Sequence, residues 1–117
     1  MRADDILDET GLPFAACAFN NPPDQTYAVY HEEMTRRGAD LMNCITEYDA
    51  TIEIYAYDFY DDDAVQAVVR ALDRRNIEFK KYETTFINSE HLYCTRIEYG
   101  TTLKDSQAQR IRFEFDY

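Results

Sequence analysis

The sequence is poor in residues that break regular structure and poor in positive charge. Only three glycines and three prolines occur among 117 residues, and tryptophan is absent. Twelve Lys and Arg stand against 23 Asp and Glu, which gives a formal net charge of −11. Because phosphate binding depends on cationic side chains that displace counterions, this balance argues against specific binding of DNA or RNA and against anionic membranes.

Cysteine and long apolar runs are also scarce. The three cysteines, Cys17, Cys44 and Cys94, are widely spaced and form no C-x-x-C pair. They fit small buried side chains in a reducing compartment better than a disulfide framework. No run approaches the roughly 20 apolar residues of a membrane helix, and the acidic start MRADDILDETG is unlike a signal peptide. We therefore expect a protein made and kept in cytosol-like conditions.

What the sequence does contain is enough apolar and aromatic material for one folded domain. Hydrophobic residues make up 45% and aromatic residues 15%, with ten Tyr and seven Phe, so the chain is too apolar for a disordered protein. Its length suits a single domain. We expect residues 1–117 to form that domain, with a core over about residues 3–99 and a C-terminal strand or arm over residues 100–117.

The clearest local pattern is a strand over residues 47–57. Apolar and polar residues alternate there, which is typical of a strand in a sheet with one face in water. The residues predicted to share the buried face are Tyr48, Ala50, Ile52, Ile54 and Ala56.

A helix is predicted over residues 62–75. Val65, Val68, Val69 and Leu72 follow the spacing of an apolar helical stripe. The acidic residues at its start and the basic residues at its end both complement the helix dipole. Asn76 then suits a left-handed terminator, a position that Gly more often fills.

The remaining elements are shorter. Before the central strand we predict a helix over residues 3–10, a buried strand over 13–19, a Pro turn over 20–25, a strand over 26–34 and an exposed loop over 35–43. After the main helix we predict strands over 79–87 and 92–99, joined by the turn 88–91. A polar connection over 100–109 and a strand or arm over 110–117 follow. The predicted fold class is therefore α+β, with a mostly antiparallel sheet of about five to six strands, one main helix on one face and a short N-terminal helix.

No constellation of reactive residues stands out. Asp61, Asp62 and Asp63 lie where a helix begins and are read as capping residues, since their spacing differs from a calcium loop. His91 and Cys94 lack the second pair that a zinc site needs. No nucleotide-binding or nucleophile motif is present. We expect no catalytic residue, no metal and no cofactor, and hence no enzyme.

Exposed aromatic and basic residues are the best candidates for an interface. Tyr55, Tyr57, Phe59 and Tyr60 crowd the end of the central strand, where either packing under a second layer or a Tyr-rich interface explains them. The other candidates are Arg36 and Arg37 in the predicted loop, and Phe113, Phe115 and Tyr117 in the alternating C-terminal arm.

The order of landmarks resembles one family, the small tail-completion, tail-terminator and head–tail joining proteins of tailed bacteriophages. The matching positions are Gly11, Leu12 and Pro13, then Pro22 and Pro23, Ile52 to Tyr55, Asn76 to Phe79, Glu90, Leu92, Tyr93 and Ile97. The resemblance covers about residues 5–99. Asn76 stands where the family usually has Gly, and residues 100–117 extend past the family's expected end.

The resemblance implies a non-enzymatic subunit of a ring, expected to be a hexamer. Such a ring caps the tail tube and meets the head connector in the virion, after assembly in the bacterial cytoplasm, and DNA passes through it without being held. An anionic ring interior would suit that passage. Two other classes remain open: another head–tail module protein, such as a head-closure or assembly factor, and a small acidic cytosolic protein that binds a basic partner.

Overall fold

The computed structural model describes residues 2–38, 43–59 and 62–106. It contains two helices and six strands. In chain order these are α1 (Ala3–Asp8), β1 (Phe14–Ala16), β2 (Tyr27–Arg37), β3 (Asn43–Ala56), α2 (Asp63–Arg74), β4 (Phe79–Lys81), β5 (Thr85–Ile87) and β6 (Leu92–Ser106). The predicted α+β class, with a mostly antiparallel sheet and a short N-terminal helix, is confirmed.

One sheet contains all six strands, in the order β1-β2-β3-β6-β4 with β5 also paired to β6. β3 is antiparallel to both of its long neighbours, whereas β1 runs parallel to β2. The predicted alternation in β3 is confirmed for Ala50, Ile52, Ile54 and Ala56, which are all buried on the side that carries the helices, whereas Tyr48 is only half-buried. We call this face the helix side and the opposite face the helix-free side.

The main helix forms close to the prediction, over Asp63–Arg74 instead of residues 62–75, but the Asp62 side chain makes no capping hydrogen bond. α2 begins after Asp62 and packs Val65, Val68 and Leu72 into the core. Its end is fixed by Asn76, which takes the left-handed conformation with φ of 56°. The Ile77 N–H then reaches back to the Leu72 carbonyl at 3.1 Å and satisfies one of the free carbonyls of the last turn.

The N-terminal helix is shorter than predicted and is held at both ends by charge. α1 ends at Asp8, and its apolar residues Ile6 and Leu7 are fully buried. At its start, Arg2 Nε lies 2.5 Å from Glu32 Oε1 of β2. After its end, Glu9 accepts a hydrogen bond from Arg74 at 2.7 Å. These ion pairs fix α1 against both the sheet and α2.

The predicted buried strand over residues 13–19 is wrong in extent and burial. β1 covers only Phe14–Ala16, and its residues are half-buried or exposed. Cys17 takes a positive φ of 67° and turns the chain away from β2. Cys17 is also exposed and Cys94 half-buried, so the expectation of buried cysteines fails for Cys17.

Two segments predicted as irregular are strands. β2 continues through Arg37 and β3 begins at Asn43, so the predicted loop over residues 35–43 is wrong at both ends. β6 runs to Ser106, so the predicted connection over residues 100–109 is largely strand. These residues lack an apolar period in the sequence, and pairing among β2, β3 and β6 makes them strands. We call residues 33–37, 43–49 and 100–106 the β-arm.

The strand predicted over residues 79–87 is interrupted. It forms β4 and β5, which pair with successive parts of β6 on the same side. Residues 82–84 bend away between them, although the Tyr82 N–H still bonds to the Arg96 carbonyl at 2.9 Å. The predicted strand over residues 92–99 and the turn over 88–91 are confirmed.

Charge on the buried face of α2 should prevent folding. Val68 is fully buried, so Val68→Asp adds an unpaired charge and a packing defect and should lower the free energy of unfolding by several kcal/mol. Gln66→Asp, on the exposed side of the same helix, is the matched control; it loses the hydrogen bond to Asp62 and puts a like charge one turn away, so it should cost no more than about 1 kcal/mol. Urea denaturation followed by circular dichroism measures both, and a folded Val68→Asp protein would contradict the assignment of this face.

The Tyr99 hydroxyl should weaken the fold at alkaline pH. Tyr99 is buried and its hydroxyl has no hydrogen-bond partner within the described residues. Burial, with nearby Glu32, Asp4 and Asp5, raises the pKa of Tyr99. Unfolded tyrosines ionise near pH 10, so stability falls as the pH rises past that value.

The test is the variant Tyr99→Phe, which removes the hydroxyl and keeps the ring. Its free energy of unfolding at pH 7 should be unchanged or higher by up to about 1 kcal/mol. Between roughly pH 10 and 11 its stability should fall less steeply than that of the wild type. Denaturant titrations at pH 7 and across the alkaline range give both quantities. A loss of more than about 1 kcal/mol at pH 7 would show that the hydroxyl has a partner.

Candidate interface

The interface residues predicted from sequence fall at two opposite ends of the sheet. Tyr55 pairs with Tyr27 near one end, whereas Arg37 pairs with Ile45 near the other. Ten residues of β3 separate these positions, which is about 33 Å at the rise of a strand. The structure therefore does not bring the aromatic and basic candidates together. Tyr60, Phe113, Phe115 and Tyr117 lie outside the described residues.

Tyr55 belongs to a small second core on the helix-free side. Its ring stacks on Tyr27 with centroids 5.2 Å apart, and Phe19 meets Tyr27 edge-on at 5.3 Å. Val29 and Leu92 complete this cluster. The Tyr55 hydroxyl donates to Glu53 at 3.0 Å, and burial raises the pKa of Tyr55. Of the two explanations for this residue, packing within the chain is the one its contacts support.

Tyr57 connects the end of β3 to the proline turn. Its side chain is half-exposed, and its hydroxyl donates to the Pro23 carbonyl at 2.8 Å. Pro22 and Pro23 offer no backbone N–H, so this segment pairs poorly with strands. The Tyr57 contact therefore helps to hold the turn against the sheet.

Phe59 lies in a row of rings on the surface. Its centroid is 5.4 Å from that of Tyr93, which lies 4.9 Å from that of Phe86, which lies 6.3 Å from that of His91. Phe59 is 56% exposed and Phe86 is 48% exposed. We call these four residues the aromatic row. An apolar surface formed by adjacent rings is a common feature of protein interfaces.

The sequence interpretation identified Phe59 but missed its neighbours. Phe86 and Tyr93 face each other across the β5–β6 pair, because the turn over residues 88–91 sets the register of the two strands. That register was available from the sequence once the turn had been recognised. Phe59 joins them only through the tertiary fold.

A groove of about 410 Å³ lies on the helix-free side near β5. Arg96 lies over the Tyr82 ring at 4.4 Å from its centroid, and the Tyr82 hydroxyl donates to Glu98 at 2.7 Å. Cys94 also lines this groove. Burial, followed by the nearby Glu53 carboxylate, raises the pKa of the Cys94 thiol. A raised pKa disfavours the thiolate that a nucleophile or a metal ligand requires.

Arg36 and Arg37 lie on opposite faces of the β-arm. Arg36 Nη1 donates to the buried Thr46 hydroxyl at 3.0 Å on the helix side. Arg37 forms an ion pair with Glu47 on the helix-free side. Both arginines are exposed and lie in a strand, so the strand backbone fixes the position from which each positive charge extends into solvent.

Metal-ligand clusters and membrane-spanning helices were also sought among the described residues. Within residues 2–38, 43–59 and 62–106, no three His, Cys, Asp or Glu side chains lie together as ligands for a metal ion. In the same ranges no helix is long and apolar enough to cross a membrane.

Comparisons with known proteins leave the family open. The sequence matches no protein-family model and no curated protein. The resemblance to phage head–tail proteins thus depends on the landmark residues alone.

The aromatic row should be dispensable for folding. Phe59 and Phe86 already expose about half of their surface, so Phe59→Ser with Phe86→Ser should lower the free energy of unfolding by no more than about 2 kcal/mol. Binding of the dye ANS, which reports exposed apolar surface, should decrease. The control Ile54→Ser removes a buried side chain and should cost about 3 kcal/mol or more. If the double variant unfolds like this control, the row is core and not surface.

Proposed function

We propose that this protein is a structural subunit of a tailed-bacteriophage virion. It forms a tail-terminator or neck ring with other copies of itself, caps the tail tube and joins it to the head connector. In this role it needs shape and contact surfaces instead of a reactive group.

The observation that carries this proposal is the β-arm. Its three strands continue past the buried core, whose last sheet residues are Ala50 and Tyr99. Along the arm, Glu33, Met34 and Asp49 are exposed, and the buried Thr46 hydroxyl accepts a hydrogen bond from Arg36. A sheet this narrow gains little stability from burial in the single chain. Such an element fits a protein whose neighbours complete it.

The position of the aromatic row supports contacts in more than one direction. It lies near the start of β6, whereas the β-arm contains the last residues of the same strand. A ring subunit between a tube and a connector must contact adjacent copies and also proteins above or below. Two separated surfaces on one rigid sheet suit that requirement better than one binding site does.

The landmark residues also support the proposal by their structural roles. Gly11, with φ of 76°, Leu12 and Pro13 join α1 to β1. Asn76 takes the left-handed conformation that the family's usual Gly would take there. These residues lie where one element ends and the next begins. Their spacing along the chain depends on the fold, which gives the resemblance a physical basis.

Assembly with tail-tube protein tests the proposal. We expect the purified chain to form rings of about six copies, alone or when mixed with the tail-tube protein encoded near it in the same genome. Size-exclusion chromatography with light scattering gives the mass, and negative-stain electron microscopy shows the rings. The variant Phe59→Ser with Phe86→Ser should weaken tube binding, and Gln66→Ser, an exposed change on α2, should not.

Two results would overturn it. The first is a chain that neither forms rings nor binds tail-tube protein. The second is a monomer that binds one basic cytosolic protein tightly, which would favour the small acidic regulator instead.

A further inference from the structure

The outer edge of β2 has hydrogen-bonding groups that point away from the sheet. The Ala28 N–H donates outward to the Pro13 carbonyl at 3.0 Å, and the Tyr30 carbonyl accepts from the Cys17 N–H at 2.9 Å. Because outward groups alternate along a strand, Glu32, Met34 and Arg36 also direct their N–H and C=O groups outward. Among the described strands, none pairs with β2 on this side beyond Tyr30.

The edge becomes available because of a specific backbone turn. β1 occupies the outer side of β2 only opposite residues 28–30. Cys17 then takes its positive φ and leads the chain away. This conformation is uncommon for a residue with a side chain. Residues 31–37 thus form an edge that a second strand could continue in line with β1.

We propose that residues 110–117 of a second copy of this chain fill the edge at residues 31–37, running parallel to β2. This inference rests on the proposed function, because it names the contact that joins adjacent copies. Residues 110–117 lie outside the described residues, and their sequence RIRFEFDY alternates as a strand does.

Charge order sets the direction of pairing. The β2 edge runs from acidic to basic, and residues 110–117 run from basic to acidic. The charged residues, in chain order, are Glu32, Glu33, Arg36 and Arg37 on the edge, and Arg110, Arg112, Glu114 and Asp116 on the segment.

Parallel pairing places opposite charges beside each other at both ends of this contact. Glu32 is already held by Arg2 and the Ala3 N–H, so the exposed Glu33 is the acidic partner that remains. With Arg112 beside Glu33, Asp116 comes beside Arg37, and a shift that puts Arg110 beside Glu33 still gives two favourable pairs. Antiparallel pairing over the same residues places Arg112 beside Arg37 and Asp116 beside Glu33. Since like charges on adjacent strands destabilise a sheet, the parallel direction is favoured. It is also the direction that β1 already takes on this edge.

The parallel contact cannot form within one chain. Ser106 pairs with Asn43 and His31 pairs with Thr51, so eight residues of β3 separate the two levels, about 26 Å along the strand. The docking position also lies three strand spacings from β6, about 14 Å. The gap is therefore roughly 30 Å, whereas the five steps from residue 106 to 111 reach at most about 18 Å. The segment must come from another copy.

Such a contact is heterologous, because the donor surface and the acceptor edge are different parts of the chain. Repetition of a heterologous contact closes into a ring if the rotation permits.

A hairpin of the segment onto its own β6 is the competing arrangement. It is less favoured because Gln107, Ala108, Gln109 and Arg110 include none of the Gly, Asn, Asp or Pro residues that promote tight turns.

The first test removes one outward donor from the edge. Met34 is 59% exposed and directs its N–H outward, so Met34→Pro should break the contact between copies without removing a bond to β3. Met34→Thr keeps the N–H and is the matched control. By light scattering we expect Met34→Pro to be monomeric under conditions where the wild type and Met34→Thr associate. Equal association of Met34→Pro and the wild type would overturn the proposal, as would a wild type still monomeric at about 1 mM.

A mixing experiment then separates exchange between copies from a hairpin within one chain. The full-length variant Phe113→Pro with Glu114→Pro should be unable to donate its segment, yet its edge is intact. Met34→Pro has an intact segment and a blocked edge. Each should be monomeric alone, and a 1:1 mixture should form a dimer with twice the 13.8 kDa mass of the chain. A mixture that stays monomeric excludes the exchange.

The outcomes for this contact and for the proposed function are distinguishable. A dimer in the mixture, together with a wild type that neither forms rings nor binds tail-tube protein, would support the strand exchange and remove the phage role. Rings or tube binding by the wild type, together with a monomeric mixture, would support the phage role and remove the exchange.

Discussion

The two-sided pairing of β3 is the interaction on which the rest of the structure depends. Every residue from Ile45 to Tyr55 pairs with β2, and the strand pairs with β6 along its whole length. Because side chains alternate, this single register puts Ile52 and Ile54 under the helices and Glu53 and Tyr55 on the opposite side. A slip of one residue would exchange the two sets. The helices have a surface to pack on only because that register holds.

The core stabilises only part of what β3 organises. Apolar burial on the helix side of β3 extends from Ala56 to Ala50, and α1 and α2 cover that part. In the β-arm the strands continue on backbone hydrogen bonds and polar contacts such as that of Arg36 with Thr46. Polar contacts of this kind contribute little net stability in water. The chain thus has a well-packed region under the helices and a β-arm whose strands continue the register set in that region.

Sequence patterns predicted the elements that bury one face and missed those that bury none. The alternation in β3 and the apolar stripe of α2 are consequences of burial, so they were readable, and Asn76 was recognised by its conformational preference. The β-arm has no such signal, because residues such as Thr35 and Thr102 become strand through pairing with β3. Of the aromatic row, the sequence singled out Phe59 among the aromatic residues that follow the central strand. Phe86 and Tyr93 were missed although a hairpin register aligns them, and Phe59 contacts Tyr93 only through the tertiary fold.

The charged residues on the β2 edge have two effects that a neutral edge would lack: they oppose indiscriminate pairing, and their order favours one direction of pairing. Exposed edges invite indiscriminate pairing, and natural proteins protect them with charged residues. On β2 the charges are ordered, with Glu32 and Glu33 before Arg36 and Arg37. A strand with the opposite order is attracted in one direction and repelled in the other, whereas an uncharged strand gains nothing from the charges. Arg2 already neutralises part of Glu32, so the exposed Glu33 and the arginine pair would contribute most to that choice. Under the proposed contact, an edge protected in this way would select one partner and one orientation, as closure of a ring would require.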